Sequence, residues 1–116
     1  MNHPLSDPDI EVTPQGAADK VAEGAVLVDV REQYEVDAGY IEGSRHVELE
    51  RLASSADSFD KETPIVFQCR GGVRSLMAAQ AFRRAGFEAY SMAGGIQQWF
   101  DEGRPLLPEG GTVADH

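Results

Sequence analysis

The sequence predicts a single α/β domain, with a central, mostly parallel, five-stranded sheet and helices on both faces. Three observations lead there. The runs at residues 25–30 and 65–68 are continuously apolar apart from one polar residue near their ends, as expected of strands buried on both faces. Segments with helical start and stop signals follow them. The two kinds of segment alternate at a spacing that leaves room for crossover helices, which is how parallel sheets are wired. At 116 residues, 41% of them apolar, the chain suits one domain with a real core.

Each element follows in order. Residues 1–9 are polar, carry two prolines and read as a flexible lead-in. Residues 10–12 form a short edge strand. Thr13-Pro14 supplies an N-cap and a first-turn proline for a helix that ends near Gly24. The strand at 25–30 leads into a charged helical stretch, 31–38, stopped by Gly39. A turn at Glu42-Gly43-Ser44 precedes a short strand around His46-Val47, and 49–59 reads as another short helix. Pro64 precedes the strand at 65–68. The next helix carries Ala78, Ala81, Phe82 and Ala85 on one stripe and has Gly86 where a left-handed C-cap belongs. Residues 88–92 form the last strand, and Gly94-Gly95 opens a helix ending near Trp99-Phe100. The domain therefore spans 10–105, and 106–116 reads as a flexible tail.

Composition excludes several functions. Twenty acids against ten bases give a net charge of −10, with no basic stripe for phosphates, so nucleic acid is not expected as a partner. The first residues lack the basic and apolar regions of a signal peptide. No apolar run approaches the ~20 residues of a membrane span. One cysteine cannot form an internal disulfide, which is consistent with a cytoplasmic location. Charge is unevenly placed: residues 65–85 hold four arginines and no acid. Arg83 and Arg84 read as a solvated helix face, but the remaining positive patch suits a small anionic substrate.

That patch surrounds the single cysteine. In Cys69-Arg70-Gly71-Gly72-Val73-Arg74-Ser75 the thiol sits between a buried strand and a helix N-terminus. Ligands of open α/β sheets bind beyond the carboxyl ends of the strands, where Cys69 falls. Helix N–H groups and nearby cations favour the thiolate, the reactive form of cysteine. The glycines let the loop curl so that successive amides point inward as an anion nest. Arg70 and Arg74 then hold a doubly charged oxyanion, for which the guanidinium fork is well shaped. Among the histidines, His3 and His116 fall in the termini, and His46 reads as a half-exposed structural residue rather than a general base. No metal-ligand spacing and no nucleotide-binding loop occur, so neither metal nor cofactor is expected.

Longer motifs resemble a family. Val26-Leu27-Val28-Asp29-Val30-Arg31-Glu32, with Glu35, Gly39-Tyr40-Ile41 and Gly43-Ser44, is similar to the first signature of rhodanese-like domains. The stretch from Ile65 through Cys69 to Ser75, then Ala85-Gly86-Phe87 and Gly94-Gly95-Ile96-Gln97-Gln98-Trp99, resembles the second half. The resemblance implies sulfane-sulfur transfer: thiosulfate or a similar donor places its outer sulfur on Cys69, and cyanide, a small thiol or a protein thiol removes it. By position it makes Cys69 the nucleophile, the loop from Arg70 through Gly71, Gly72 and Val73 to Arg74 the substrate cradle, and Asp29 and Arg31 mainly structural. Tyr40 stands where many relatives carry histidine, and His46-Val47-Glu48 replaces an Asn-Ile-Pro type of turn; both read as packing variation.

Two alternatives remain in view. The domain can be a persulfide relay serving a sulfur-accepting protein, with little thiosulfate activity. A phosphatase or arsenate reductase is disfavoured. Four residues separate Cys69 from Arg74, one fewer than in the tyrosine-phosphatase loop, and Gln68 replaces the histidine that precedes that loop's cysteine.

Overall fold

A computed structural model describes residues 7–116, so most of the expected lead-in, including His3, lies outside the described residues. The chain turns at Asp7, whose carbonyl accepts the amides of Ile10 and Glu11 at 3.0 and 2.8 Å, and enters β1 (Glu11–Val12). Thr13 then caps α1 (Pro14–Ala22), its hydroxyl accepting the Gly16 N–H at 3.0 Å. Strand β2 (Val26–Asp29) leads to α2 (Gln33–Ala38), and β3 (Arg45–His46) follows the turn at Gly43.

The helix expected over 49–59 is broken into three pieces: a 3-10 turn at Leu49–Arg51, α3 (Leu52–Ser55) and a second 3-10 turn at Ala56–Ser58. Serine hydroxyls explain the interruption. Ser54 and Ser58 bond back to the carbonyls of Arg51 and Ser55 at 3.0 and 2.6 Å, competing with a continuous helical ladder. Beyond it come β4 (Ile65–Gln68), α4 (Val73–Arg84), β5 (Ala89–Met92) and α5 (Gly95–Asp101).

The five strands form one sheet in the order β1-β5-β4-β2-β3, and every pairing is parallel. β4 is central, and all four of its residues are buried, which is why its sequence reads as an apolar run. Side chains alternate between the two faces. Ile65 and Phe67 join Leu52 of α3 and Leu76 and Phe82 of α4. Val66 and Leu27 join Ala17 of α1 and Ile96 and Trp99 of α5. Phe82 anchors the first layer, with ring centroids 4.9 Å from Phe67, 4.9 Å from Phe87 and 5.7 Å from Phe59. The chain leaves α4 through Gly86 (φ 95°), and the Phe87 amide returns to the Phe82 carbonyl at 3.0 Å.

The segment 106–116, whose composition suggests a tail, lies against the domain. Tyr40 and Leu107 exchange backbone hydrogen bonds at 2.8 and 2.7 Å, and the Thr112 amide donates to the Ala38 carbonyl at 2.9 Å. Leu106 and Val113 pack against the second apolar layer. A few apolar anchors and an unused backbone edge at Tyr40 suffice to seat a segment whose composition is mostly polar. No helix among the described residues is long and apolar enough to cross a membrane.

Candidate active site

The site forms where β4 ends. Strand alternation puts Cys69 on the Phe67 face, 1% exposed, and the chain must then reverse into α4. Gly72 makes the reversal at φ 106°, a conformation that a side chain strains. The turn aims two amides at the sulfur: Gly72 N–H at 3.1 Å and Ser75 N–H at 3.4 Å from Sγ. The Cys69 thiol in turn faces Ser75 Oγ at 3.5 Å. That hydroxyl donates to the Gly72 carbonyl at 3.2 Å and meets the buried Ser91 hydroxyl of β5 at 2.7 Å. Helix α5 supports the loop, because Ile96 and Gln97 N–H donate to the Cys69 and Arg70 carbonyls at 2.8 and 3.1 Å. Gly95 permits this approach: a Cβ there would collide with those same two carbonyl oxygens.

The arginines take different roles. Arg74 grips Glu35 of α2 with a two-pronged ion pair, Nη1–Oε1 at 2.8 Å and Nη2–Oε2 at 3.0 Å. The Glu35 side chain has no exposed surface and Arg74 is 16% exposed. Burial pushes the Glu35 carboxyl up, but the Arg74 hydrogen bonds, the Glu32 amide at 3.1 Å and the Arg74 charge together hold it below its ordinary range. The loop sequence suggests Arg74 for an anionic substrate; in the structure its fork bonds to Glu35. Its charge still borders the cysteine, but largely neutralised. Arg70 remains at the mouth, where Nη2 lies 3.4 Å from Asp115 Oδ1.

Asp29 and Arg31 meet as a buried pair. Arg31 Nε and Nη2 donate to the carboxylate at 3.0 and 2.8 Å, and the Arg31 amide adds a bond at 3.1 Å. The guanidinium also donates to the carbonyls of Gly39 at 2.8 Å and Glu35 at 3.4 Å, so it ties β2 to α2. The helix that carries Glu35 is thus fixed before Arg74 reaches it. His46 stands apart from the sulfur, donating from Nε2 to the Arg31 carbonyl at 2.6 Å. Tyr40 engages Leu107 through its backbone.

Cys69, Arg70, Gly71, Val73 and Arg74 line one cavity of about 270 Å³, and His116 completes its wall. Gly72 contributes its amide from below. Oxygens of Glu32 and Glu35 and a ring nitrogen of His116 lie within 4.8 Å of one another, but Arg74 already occupies both Glu35 oxygens, so the trio is a poor metal chelate. Sequence reasoning missed Glu35, Ser75, Ser91 and His116. Ser75 follows Arg74 directly and could have been included with the loop. Glu35 stands in the family signature quoted above, but the sequence assigns it no role there. Ser91 and His116 gave no signal, since each reaches the site only through the fold.

Comparison with known proteins adds to this geometry. Residues 13–102 match the family model described as "Rhodanese-like domain". The thiosulfate sulfurtransferase GlpE of Ectopseudomonas mendocina is 35% identical over 89 residues, 76% of this chain and 82% of that one. Its namesake from Pseudomonas aeruginosa is 33% identical over 96 residues, 82% of this chain and 87% of the relative. Among solved structures, a rhodanese-related protein from Thermoplasma volcanium superposes with a TM-score of 0.79 at 23% identity, covering 84% of this chain and 97% of its own; at that identity it speaks for the fold. A rhodanese-like domain protein from Staphylococcus aureus gives 0.73 at 26% identity, over 91% and 99%.

Proposed function

Because this chain belongs to the rhodanese-like domain family, we propose that it moves sulfane sulfur from thiosulfate or a similar donor to cyanide or a thiol through a persulfide on Cys69. The relatives named thiosulfate sulfurtransferase support sulfur transfer as the general activity. One observation carries the finer reading: the only sulfur nucleophile of the chain sits at the carboxyl edge of the sheet with two loop amides directed at Sγ. In the donor step the Cys69 thiolate attacks the outer sulfur of thiosulfate. The sulfur–sulfur bond of the donor breaks, and sulfite leaves with the electron pair. In the acceptor step cyanide attacks the outer sulfur of the persulfide and leaves as thiocyanate, while the electron pair of the broken bond returns to Sγ. Amides of Gly72 and Ser75 stabilise that returning negative charge.

Intact mass spectrometry before and after thiosulfate, followed by a cyanide chase read as thiocyanate, tests this reading. We expect one added sulfur on Cys69, removed catalytically, and neither event in Cys69→Ser, whose fold should persist. Turnover in Cys69→Ser, or no adduct in the parent, would overturn it. The charges at the mouth favour a second reading. Glu35 offsets Arg74, Asp115 faces Arg70, and Glu32, Glu48 and Glu50 line the adjoining hollow. Such a rim attracts a dianion weakly, which suits a relay that receives and gives sulfur through a protein partner.

A further inference from the structure

Residues 106–116 run across the domain to the cysteine cavity, and several contacts hold them there. Their course is fixed by the Tyr40–Leu107 backbone pair and by the Thr112 amide on the Ala38 carbonyl. Gly39 and Thr112 run so close that a Cβ on Gly39 would meet the Thr112 backbone. Beyond Val113, the Tyr34 hydroxyl donates to the Asp115 carbonyl at 3.1 Å and the Asp115 carboxylate meets Arg70. His116 then lies with Nε2 3.5 Å from Glu32 Oε2, and it lines the cavity that contains Cys69.

We propose that His116 is the general base for a thiol acceptor, oriented by Glu32, on the wall of the Cys69 cavity. The proposal rests on the sulfur-transfer reading and concerns only its second half. A thiolate, not a thiol, is the nucleophile, and an ordinary thiol is mostly protonated at neutral pH. Nucleophile, base and orienting carboxylate are the three parts that activate such a group. Here the nucleophile is brought by the acceptor, the base is His116 and the orienting group is Glu32.

The step balances without any outside oxidant. His116 takes the proton from R–S–H. The sulfur so exposed attacks the outer sulfur of Cys69–S–S–H and forms the new sulfur–sulfur bond. The old bond breaks and its electron pair stays on Sγ, where the Gly72 and Ser75 amides receive it. R–S–S–H leaves, and the imidazolium returns its proton to solvent. The charged and titratable groups around His116 come from every neighbouring element: Glu32, Tyr34 and Glu35 from the α2 region, Glu48 and Glu50 after β3, Cys69 and Arg70 from the loop, Arg74 from α4, and Asp115 beside it. Arg74 and Glu35 offset each other, which leaves Glu32 placed to balance the charge the ring acquires with the proton.

The test uses the full chain, His116→Ala and His116→Gln, loaded with sulfur and followed through one turnover. Two acceptors separate base catalysis from a structural role: 2-mercaptoethanol, mostly protonated at neutral pH, and thionitrobenzoate, already ionised. We expect both variants to take up sulfur from thiosulfate and to transfer it to 2-mercaptoethanol on the order of 10²-fold more slowly than the parent. Transfer to thionitrobenzoate should stay within about twofold, because that acceptor needs no base. Added imidazole should restore part of the lost rate in His116→Ala, and the deficit should shrink as rising pH ionises the aliphatic thiol. Equal losses for both acceptors, or no loss for 2-mercaptoethanol, would overturn the proposal. Failure of the parent to load sulfur would instead overturn the sulfur-transfer reading.

Discussion

Arg74→Ala separates the two roles that Arg74 can play. In the structure the substitution removes hydrogen bonds of 2.8 and 3.0 Å from a carboxylate with no exposed surface, leaving Glu35 only the Glu32 amide. Deleting one partner of a buried ion pair costs about 3–5 kcal/mol, mostly the penalty for the charge left behind. Arg74 is 16% exposed, so water can enter the vacated space, and the lower end, about 3 kcal/mol, applies. A domain of this kind holds roughly 5–15 kcal/mol in total. At about 4 °C per kcal/mol, the melting temperature should fall by about 12 °C. Replacing both partners, Arg74→Met with Glu35→Gln, removes the stranded charge and should recover at least half of that loss. Circular dichroism melts of the parent, Arg74→Met, Glu35→Gln and the double variant complete a cycle, with Arg74→Ala melted alongside. If Arg74→Ala melts within about 2 °C of the parent while the KM for thiosulfate rises, the fork serves substrate and the reasoning fails.

Three further outcomes follow from the same geometry. Glu35 is held below its ordinary pKa in the fold, so its contribution to stability is complete above about pH 4.3 and is lost as pH falls through the lower folded value. Urea midpoints measured from pH 6 to 3 should therefore decline less steeply on the acid side in Glu35→Gln than in the parent; identical slopes would contradict this. Gly95→Ala drives a methyl into the Cys69 and Arg70 carbonyls at φ 60° and should cost more than about 2 kcal/mol, whereas Gly71→Ala meets nothing within 4 Å and should melt like the parent. Equal melting of the two variants would show that α5 does not press on the loop. Phe82→Ala removes the ring shared by Phe59, Phe67 and Phe87 and should destabilise by about 3–5 kcal/mol in urea titrations; a cost below about 1 kcal/mol would mean that the layer repacks freely.

The sheet was legible because its inner strands are buried on both faces. Residues 25–30 and 65–68 can only read as apolar runs when helices cover both sides, and helices on both sides imply parallel crossovers. The cysteine loop was legible for a local reason too: strand end, glycines and helix start are contiguous, so the backbone there dictates where Sγ and its amides meet. The serine-rich stretch at 49–59 was less legible, since side-chain bonds to the backbone interrupt a pattern that otherwise suits a helix.

Sequence by itself therefore determined the parallel sheet, the place of the single cysteine at its carboxyl edge, and the family to which the chain belongs. Tertiary structure alone decided which charges are spent and which are free. Arg74 is 39 residues from Glu35, and Arg70 is 45 from Asp115. Nothing in local composition distinguishes an arginine that greets a substrate from one that neutralises a buried carboxylate. The same holds for the segment 106–116, whose few apolar anchors find their sites only once β2, α2 and α5 are assembled. Local propensity acts over one or two turns of chain, whereas ion pairing and burial act between surfaces that folding brings together, and the cysteine's neighbours are chosen by the second.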